Sequence, residues 1–161
     1  MNLPQQWFAD KLDRHASQLR LLHYPAPDSD LESGQLRCGS HTDLGMMTIL
    51  RNHAAEGGLQ VKPRNGRWVD APAIDDTFVV NIGDLLMRWT NDRWVSTLHR
   101  VVVPEGEDAS KDRVSVPYFF QPSFGAVIET IPTTVDADHP LHYEPVVAGE
   151  WITAKSMAGL T

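Results

Sequence analysis

The chain has 161 residues and a formal net charge of -7 at pH 7, from 14 basic and 21 acidic side chains. This acidic balance argues against nucleic acid or an anionic membrane as the main partner. A chain of this length suits one domain, which buries roughly 70% of its unfolded surface and so can form a substantial core.

Cysteine content and hydropathy indicate where the protein works. The single cysteine, Cys38, excludes an intrachain disulfide and fits a reducing compartment. No apolar run is long enough to span a bilayer, and residues 1–10 lack the basic and then apolar pattern of a secretion signal. We therefore expect a cytoplasmic protein without a membrane partner.

The first predicted element is a front helix over about residues 5–22. Apolar or aromatic side chains recur there at three-to-four spacing, with polar residues between them. They are Trp7, Phe8, Leu12, His15, Leu19 and Leu22. Pro25 and Pro27 end the helical pattern, and a polar loop runs from there to Gly34.

Short strand-like runs follow the loop, separated by Gly, Pro and Asn turns that indicate a β-sandwich or barrel. The runs cover residues 36–38, 46–51, 58–62, 67–71, 78–82, 95–103, 114–121 and 126–129. Asn65-Gly66 predicts a hairpin, because its tight turn needs positive φ. Residues 84–89 predict a single helical turn capped by Asp84.

The triplet His41-Thr42-Asp43 and the distant His99 are the main candidates for metal ligands. Two imidazoles and one carboxylate can hold Fe(II) while leaving positions open. If a strand continues through the triplet, its alternation directs His41 and Asp43 the same way. Alone, such a triplet is more often a loop with a capping aspartate. The metal prediction depends on His99 and on the pair described next.

Arg113 and Ser115 lie two residues apart at the start of a predicted strand and should share one face. A guanidinium fork beside a hydroxyl makes a good carboxylate receptor, because both oxygens can accept charge-assisted hydrogen bonds. The alternative for Arg113 is a surface ion pair with Asp112 or Glu107.

Taken together, these motifs make the chain similar to the Fe(II)- and 2-oxoglutarate-dependent oxygenases of the isopenicillin N synthase-like family. The resemblance begins at about Leu19 and reaches the C-terminus. Its motifs are His41-Thr42-Asp43, Gly57-Gly58-Leu59-Gln60-Val61, Val80-Asn81-Ile82-Gly83-Asp84, Trp89-Thr90-Asn91, Ser96-Thr97-Leu98-His99-Arg100-Val101 and Arg113-Val114-Ser115.

The resemblance implies a mainly β fold, a double-stranded β-helix of the jelly-roll type with a front helix. In a single domain, the jelly-roll core would cover about residues 35–131 and a C-terminal tail residues 132–161. The family's chains are usually longer, with an N-terminal region that packs on the jelly roll. Here an apolar face should be exposed, and such faces are often buried in oligomers. We therefore expect a homo-oligomer whose interface uses the front helix.

The resemblance also implies the chemistry of the site. Fe(II) would be bound by His41, Asp43 and His99, and 2-oxoglutarate would chelate the iron while its far carboxylate reaches Arg113 and Ser115. O2 would take the last position, and a small organic substrate would be oxidised with release of succinate and CO2.

Two further residues receive roles from the resemblance. Tyr24 stands where relatives often have a tyrosine that contacts the cosubstrate, although its ring could simply pack. Phe119 resembles an aromatic residue that lines the substrate pocket. Asn81 and Asp84 are interpreted as structural residues, a polar strand-end group and a cap.

Two other functions remain open from the sequence. The protein could be an oxidase that keeps the iron triad but uses Arg113 and Ser115 to hold the substrate's own carboxylate. It could also be a non-catalytic metal-binding β-barrel module. The motifs do not name the primary substrate, because loops that vary within a fold determine specificity.

Overall fold

The computed structural model describes residues 1–26, 35–52, 57–104 and 110–159. Within these ranges the chain forms eleven strands and three α-helices, with a short 3-10 helix at Pro132–Thr134. In chain order they are α1 Ala9–Leu12, β1 Gln18–Leu19, β2 Leu22–Tyr24, β3 Leu36–His41, β4 Met47–Asn52, β5 Leu59–Lys62, β6 Val69–Asp70, β7 Val79–Ile82, α2 Asp84–Trp89, β8 Leu98–Val102, β9 Arg113–Phe120, β10 Val127–Ile128, β11 Val146–Val147 and α3 Ala148–Met157.

The strands form two main antiparallel sheets and one small one. The larger sheet has the order β1-β9-β4-β7, and β2 also pairs with β9. The second sheet has the order β3-β8-β5-β6, while β10 and β11 pair with each other. Side chains of both main sheets line one cavity between them. The mainly β jelly-roll prediction is confirmed.

Strand alternation decides which side chains face this cavity. On β9 the odd-numbered residues from Arg113 to Phe119 line it. On β4, Thr48 and Leu50 do so, and they lie opposite Phe119 and Pro117 on β9. The predicted common face of Arg113 and Ser115 is therefore present, because β9 pairs with β2 in unbroken register from Arg113 to Ser115.

The predicted hairpin at Asn65-Gly66 is also confirmed. It joins β5 to β6, whose Val61 and Val69 lie opposite each other. Gly66 has a φ of +77°, a left-handed conformation that glycine adopts without steric cost.

The main hydrophobic core lies around α2. Its buried members are Met46, Leu85, Leu86, Trp89, Ile128, Ile131 and Ala148. Trp7 and Phe8 contact Trp89 edge to face, with ring centroids 6.1 and 5.4 Å apart. The N-terminal segment therefore packs on the same core as the C-terminal elements.

The predicted front helix is wrong over most of its length. Only Ala9–Leu12 is α-helical, and β1 and β2 occupy the end of the predicted range. Both strands bond to β9, where Leu19 lies opposite Tyr118 and Leu22 opposite Ser115. These long-range pairings override the local apolar spacing, which cannot reveal a partner strand almost 100 residues away.

Because the front helix does not form over most of its predicted length, the oligomer interface predicted on that helix is also wrong. Trp7, Phe8 and Leu12 pack against the protein's own core, whereas Leu19 is 69% exposed on β1. These four side chains do not form one outward stripe. The homo-oligomer stays a prediction, without the helix as its interface.

Two other predictions concern helices. The turn at Asp84–Trp89 is confirmed as α2, but Asp84 is not its cap. Gly83 is the N-cap residue, and the Asp84 carboxylate accepts a hydrogen bond from Thr42 Oγ1 at 3.3 Å instead. The C-terminal tail contains α3, for which the sequence analysis predicted no helix.

No helix in the described parts of the chain is long and apolar enough to cross a membrane.

Gly83 supplies a test of how α2 meets the loop after β3. A Cβ at this position would lie 2.4 Å from the Gly45 carbonyl oxygen, whereas a Cβ at Gly125 would meet nothing within 4 Å. Since backbone must move to admit the methyl group, Gly83→Ala should lower the free energy of unfolding by ~1–3 kcal/mol. Gly125→Ala is the matched control in urea unfolding. Equal stability of the two variants would contradict this packing.

Candidate active site

A single cavity of about 550 Å³ between the main sheets brings the predicted site residues together. All seven line it: Tyr24, His41, Asp43, His99, Arg113, Ser115 and Phe119. The candidate metal ligands and the candidate carboxylate receptor therefore open into the same space.

The two histidines lie directly opposite each other on neighbouring strands, His41 at the end of β3 and His99 on β8. Their ring centroids are 4.2 Å apart. Nδ1 of His41 is 2.9 Å from the Gly39 carbonyl oxygen, and Nδ1 of His99 is 3.0 Å from that of Thr97. A carbonyl only accepts, so each Nδ1 donates and each Nε2 is the nitrogen available to a metal.

Asp43 reaches the same point from a loop. It lies beyond the end of β3, so the expected strand alternation does not place it. Instead its carbonyl oxygen accepts a 2.7 Å hydrogen bond from the backbone N–H of Asp84 at the start of α2. Its carboxylate Oδ2 accepts hydrogen bonds from Thr48 Oγ1 at 2.5 Å and Asn81 Nδ2 at 2.8 Å. These bonds fix the carboxylate and leave Oδ1 for another partner.

The free donor atoms converge. Asp43 Oδ1 lies 3.9 Å from His41 Nε2 and 3.7 Å from His99 Nε2, and the three atoms are within 4.8 Å of one another. The two distances from Asp43 Oδ1 are within the ~4 Å that one ion with bonds of about 2.0–2.2 Å can span. This donor set suits Fe(II) in non-heme oxygenases. Among the described residues, no other cluster of this kind is found.

Cys38 contacts one of these histidines. Its sulfur is 3.8 Å from His41 Nδ1, and this hydrogen bond is the main cause that raises the pKa of His41 to about 9. Partial burial opposes the rise, while the Gly39 carbonyl and the Asp43 carboxylate add to it. A metal ion at Nε2 would have to displace a proton from this imidazole.

The candidate carboxylate receptor is a buried cation. Arg113 is 1% exposed and Ser115 3% exposed. Arg113 Nη2 donates to Asn52 Oδ1 at 2.9 Å, and the guanidinium carbon lies 5.2 Å from the Tyr24 ring centroid. An amide oxygen and a ring face orient the guanidinium, and a buried guanidinium beside a hydroxyl suits a carboxylate through charge-assisted hydrogen bonds.

Tyr24 lies opposite Arg113 in the pairing of β2 with β9. Burial is the main cause that raises the pKa of its phenol, and Cys38 adds to the rise. The Arg113 charge and a hydrogen bond with Ser115 oppose it. The hydroxyl therefore stays protonated at neutral pH.

The sequence analysis missed Thr48 and Asn52, which hold the Asp43 carboxylate and the Arg113 guanidinium. Both lie on β4 with the same parity as the cavity-facing Leu50, which is the signal that could have found them. Asn81 has the structural role expected of it, and its amide holds a candidate ligand. Arg20 also lines the cavity and was not predicted.

The chain matches known proteins along most of its length. Residues 16–122 match the family model described as the 2OG-Fe(II) oxygenase superfamily. The chain is 40% identical over 149 residues to a proline hydroxylase, buaE, from Petromyces alliaceus, covering 89% of this chain and 46% of that protein. It is 37% identical over 142 residues to a homoarginine-6-hydroxylase from Glycine max, covering 85% of this chain and 42% of that protein.

Solved structures agree with these relatives. A full-length Neurospora crassa protein, crystallised with alpha-KG (2-oxoglutarate), matches with a TM-score of 0.89 and 42% identity. The match covers 98% of this chain and 49% of that one. The rice dioxygenase for auxin oxidation matches with a TM-score of 0.77 and 28% identity, over 89% of this chain and 47% of its own.

The chain spans about half the length of these relatives. Residues 16–122, which match the family model, include the candidate metal ligands and the candidate carboxylate receptor. The chain belongs to the 2OG-Fe(II) oxygenase superfamily.

Proposed function

We propose that the protein is an Fe(II)- and 2-oxoglutarate-dependent dioxygenase that oxidises a small organic molecule, by hydroxylation or desaturation, and releases succinate and CO2. One observation carries the proposal. Three converging metal donors, from His41, Asp43 and His99, share a cavity with the buried cation of Arg113. A metal site and a carboxylate receptor in one cavity are what a 2-oxo acid that chelates iron requires.

In this proposal Nε2 of His41, Nε2 of His99 and Oδ1 of Asp43 hold the iron. Bound Fe(II) would supply the redox chemistry that couples O2 to the oxidative decarboxylation of 2-oxoglutarate. The protein's part is ligand geometry. Backbone carbonyls that accept from Nδ1 hold the His41 and His99 rings. Thr48 and Asn81 hold the Asp43 carboxylate, so the ligands are oriented before a metal binds.

The far carboxylate of 2-oxoglutarate would bind Arg113 and Ser115. Burial strengthens this interaction, because a desolvated guanidinium attracts an anion more strongly than a solvated one. Asn52 holds the guanidinium, and the Tyr24 ring covers it. These contacts orient the receptor, so little conformational entropy is lost on binding.

The substrate is proposed as a small organic molecule that reaches the iron beside Phe119. Two relatives are named as hydroxylases of proline and homoarginine, and the Neurospora crassa protein has been crystallised with thymine. These compounds are small but chemically diverse. Phe119 lies opposite Thr48, the residue that holds Asp43, and this register supports assigning its ring to the substrate wall.

Both alternative functions receive less support. The oxidase would not use 2-oxoglutarate, but named relatives are 2-oxoglutarate-dependent and neighbouring structures contain alpha-KG. The non-catalytic module would not need both a complete donor set and a buried cation in one cavity. Cytoplasmic location and self-association remain predictions from the sequence.

Turnover of 2-oxoglutarate in the absence of a primary substrate tests the function directly. The protein with Fe(II), 2-oxoglutarate and O2 should form succinate, and Asp43→Ala should abolish this because the anionic ligand is lost. Asp138→Ala, which removes an exposed carboxylate, is the control. Succinate measured by mass spectrometry at the native level in Asp43→Ala would refute the triad. O2 consumption without succinate formation would favour the oxidase that does not use 2-oxoglutarate. Metal binding without any turnover would favour the non-catalytic module.

Removing the hydroxyl that holds Asp43 should weaken metal binding without removing a ligand. Thr48→Val is expected to lower the affinity for Fe(II) by roughly 10–100-fold, the usual effect of losing a hydrogen bond to a metal ligand. Calorimetric titration under anaerobic conditions measures this affinity. Thr134→Val is the control, since Thr134 is also buried but donates to Ile131. Equal affinity in both variants would show that Thr48 does not position the carboxylate.

Arg113→Lys tests the cosubstrate receptor. A lysine keeps the charge but cannot form a two-pronged contact, so the dissociation constant for 2-oxoglutarate should rise by at least about tenfold. Arg100→Lys is the matched control, because Arg100 binds Gln60 and stacks on Trp68 instead of lining the cavity. Unchanged 2-oxoglutarate affinity in Arg113→Lys would exclude Arg113 as the anchor.

A further inference from the structure

One ionic group of the cavity has no part in the proposed function. The described residues that line the cavity include five basic or acidic side chains. Four are assigned to the metal or to 2-oxoglutarate, namely His41, Asp43, His99 and Arg113. The fifth is Arg20, which lies between β1 and β2.

The strand register separates Arg20 from the carboxylate receptor. The backbone N–H of Arg20 donates to the Pro117 carbonyl at 3.0 Å, whereas Tyr24 lies opposite Arg113. Pro117 is four residues beyond Arg113 on β9, or ~14 Å along a strand that rises about 3.4 Å per residue. Arg20 is therefore a second cation, distinct from the one assigned to 2-oxoglutarate.

The Arg20 side chain is already oriented. Gln18 Oε1 accepts hydrogen bonds from its Nε at 3.3 Å and its Nη2 at 3.0 Å. The guanidinium carbon lies 5.4 Å from the Phe119 ring centroid. A guanidinium has five N–H donors, so others remain for a ligand. In the described part of the chain, no aspartate or glutamate forms an ion pair with Arg20.

A chain of contacts joins this cation to the candidate metal ligands. Phe119, which Arg20 contacts, is opposite Thr48 in the pairing of β9 with β4. Thr48 donates to Asp43. A molecule bound to Arg20 with its body along the Phe119 ring would therefore extend toward the metal ligands.

The charges of the loaded site point to an anionic substrate. In the proposed function Asp43 binds the metal, and Arg113 is assigned to a carboxylate of 2-oxoglutarate. Arg20, an exposed side chain at the edge of the cavity lining, is then the described cavity cation to which the proposed function assigns no anion. Electrostatic complementarity favours a ligand with a single negative charge.

We propose that Arg20, Gln18 and Phe119 form a substrate subsite for a carboxylate, so that the substrate is a small organic acid. Its carboxylate binds the guanidinium, and its body lies along Phe119 toward the metal. Phe124 and Ile152 also line the cavity and give it apolar surface for that body. This assignment rests on the proposed function, because it takes the metal and Arg113 as already occupied.

Matched acids and amides test the proposal. The protein, loaded anaerobically with Fe(II) and 2-oxoglutarate, is titrated with hexanoate, phenylacetate and L-phenylalanine and with their primary amides. Binding is measured as the change that each compound causes in the visible charge-transfer band of the iron chelate, without turnover. We expect at least one acid to bind about tenfold more tightly than its amide, because only the acid offers a charge to the guanidinium.

Variants assign this preference to Arg20. Arg20→Gln should remove the preference for the acid. The affinity for the amide, and the charge-transfer band before any acid or amide is added, should remain as in the native protein. Arg20→Lys should retain part of the preference, since it keeps the charge. Arg14→Gln, an exposed arginine outside the cavity lining, should retain all of it.

The outcomes separate the two proposals. A native protein that shows the band but no preference for any of the acids would overturn the subsite, as would an Arg20→Gln variant that keeps the preference. Equal weakening of acid and amide in Arg20→Gln would also overturn it, since that indicates lost packing instead of lost charge. A native protein with no band would overturn the proposed function, and the subsite with it.

Discussion

The Asp43 carboxylate has two oxygens with different partners, and the candidate metal centre depends on this division. Oδ2 accepts hydrogen bonds from Thr48 and Asn81, while Oδ1 is left beside Nε2 of His41 and His99. A carboxylate that is 8% exposed is costly to bury unless hydrogen bonds compensate for lost water. Two donors on Oδ2 supply that compensation and also hold the free oxygen in place.

The fold brings these groups together from both main sheets. His41 and His99 come from the second sheet as a cross-strand pair, whereas Thr48 and Asn81 come from β4 and β7 of the larger sheet. Asp43 lies in the loop between the sheets, and its backbone bonds to the start of α2. Because α2 is anchored in the hydrophobic core, the apolar packing of Leu85 and Trp89 supports the polar site.

Short-range patterns in the sequence predicted the parts of the site that strand alternation determines. The strand runs, the hairpin at Asn65-Gly66 and the shared face of Arg113 and Ser115 all follow from local residue order. The three candidate metal ligands do converge, but the predicted route to Asp43 was wrong, because a loop and not a strand carries it.

The sequence analysis failed where distant partners decide the structure. The segment at 18–22 was predicted to be helical from its spacing, yet β1 and β2 form there because the edge of β9 offers hydrogen bonds. Thr48 and Asn52 have no motif of their own, and only the fold places them beside Asp43 and Arg113. Arg20 belonged to a supposed surface helix and could not be recognised as a cavity residue.

Anaerobic titration with Fe(II) tests the central claim most directly, that one cavity holds both the metal and the oxo acid. A visible charge-transfer band should appear only when Fe(II) and 2-oxoglutarate are both present, because it arises from their chelate. His99→Ala should lose the band, while His139→Ala should keep it, since His139 bonds to Asp136 and does not line the cavity. A full band in His99→Ala, or no band in the native protein, would contradict the account.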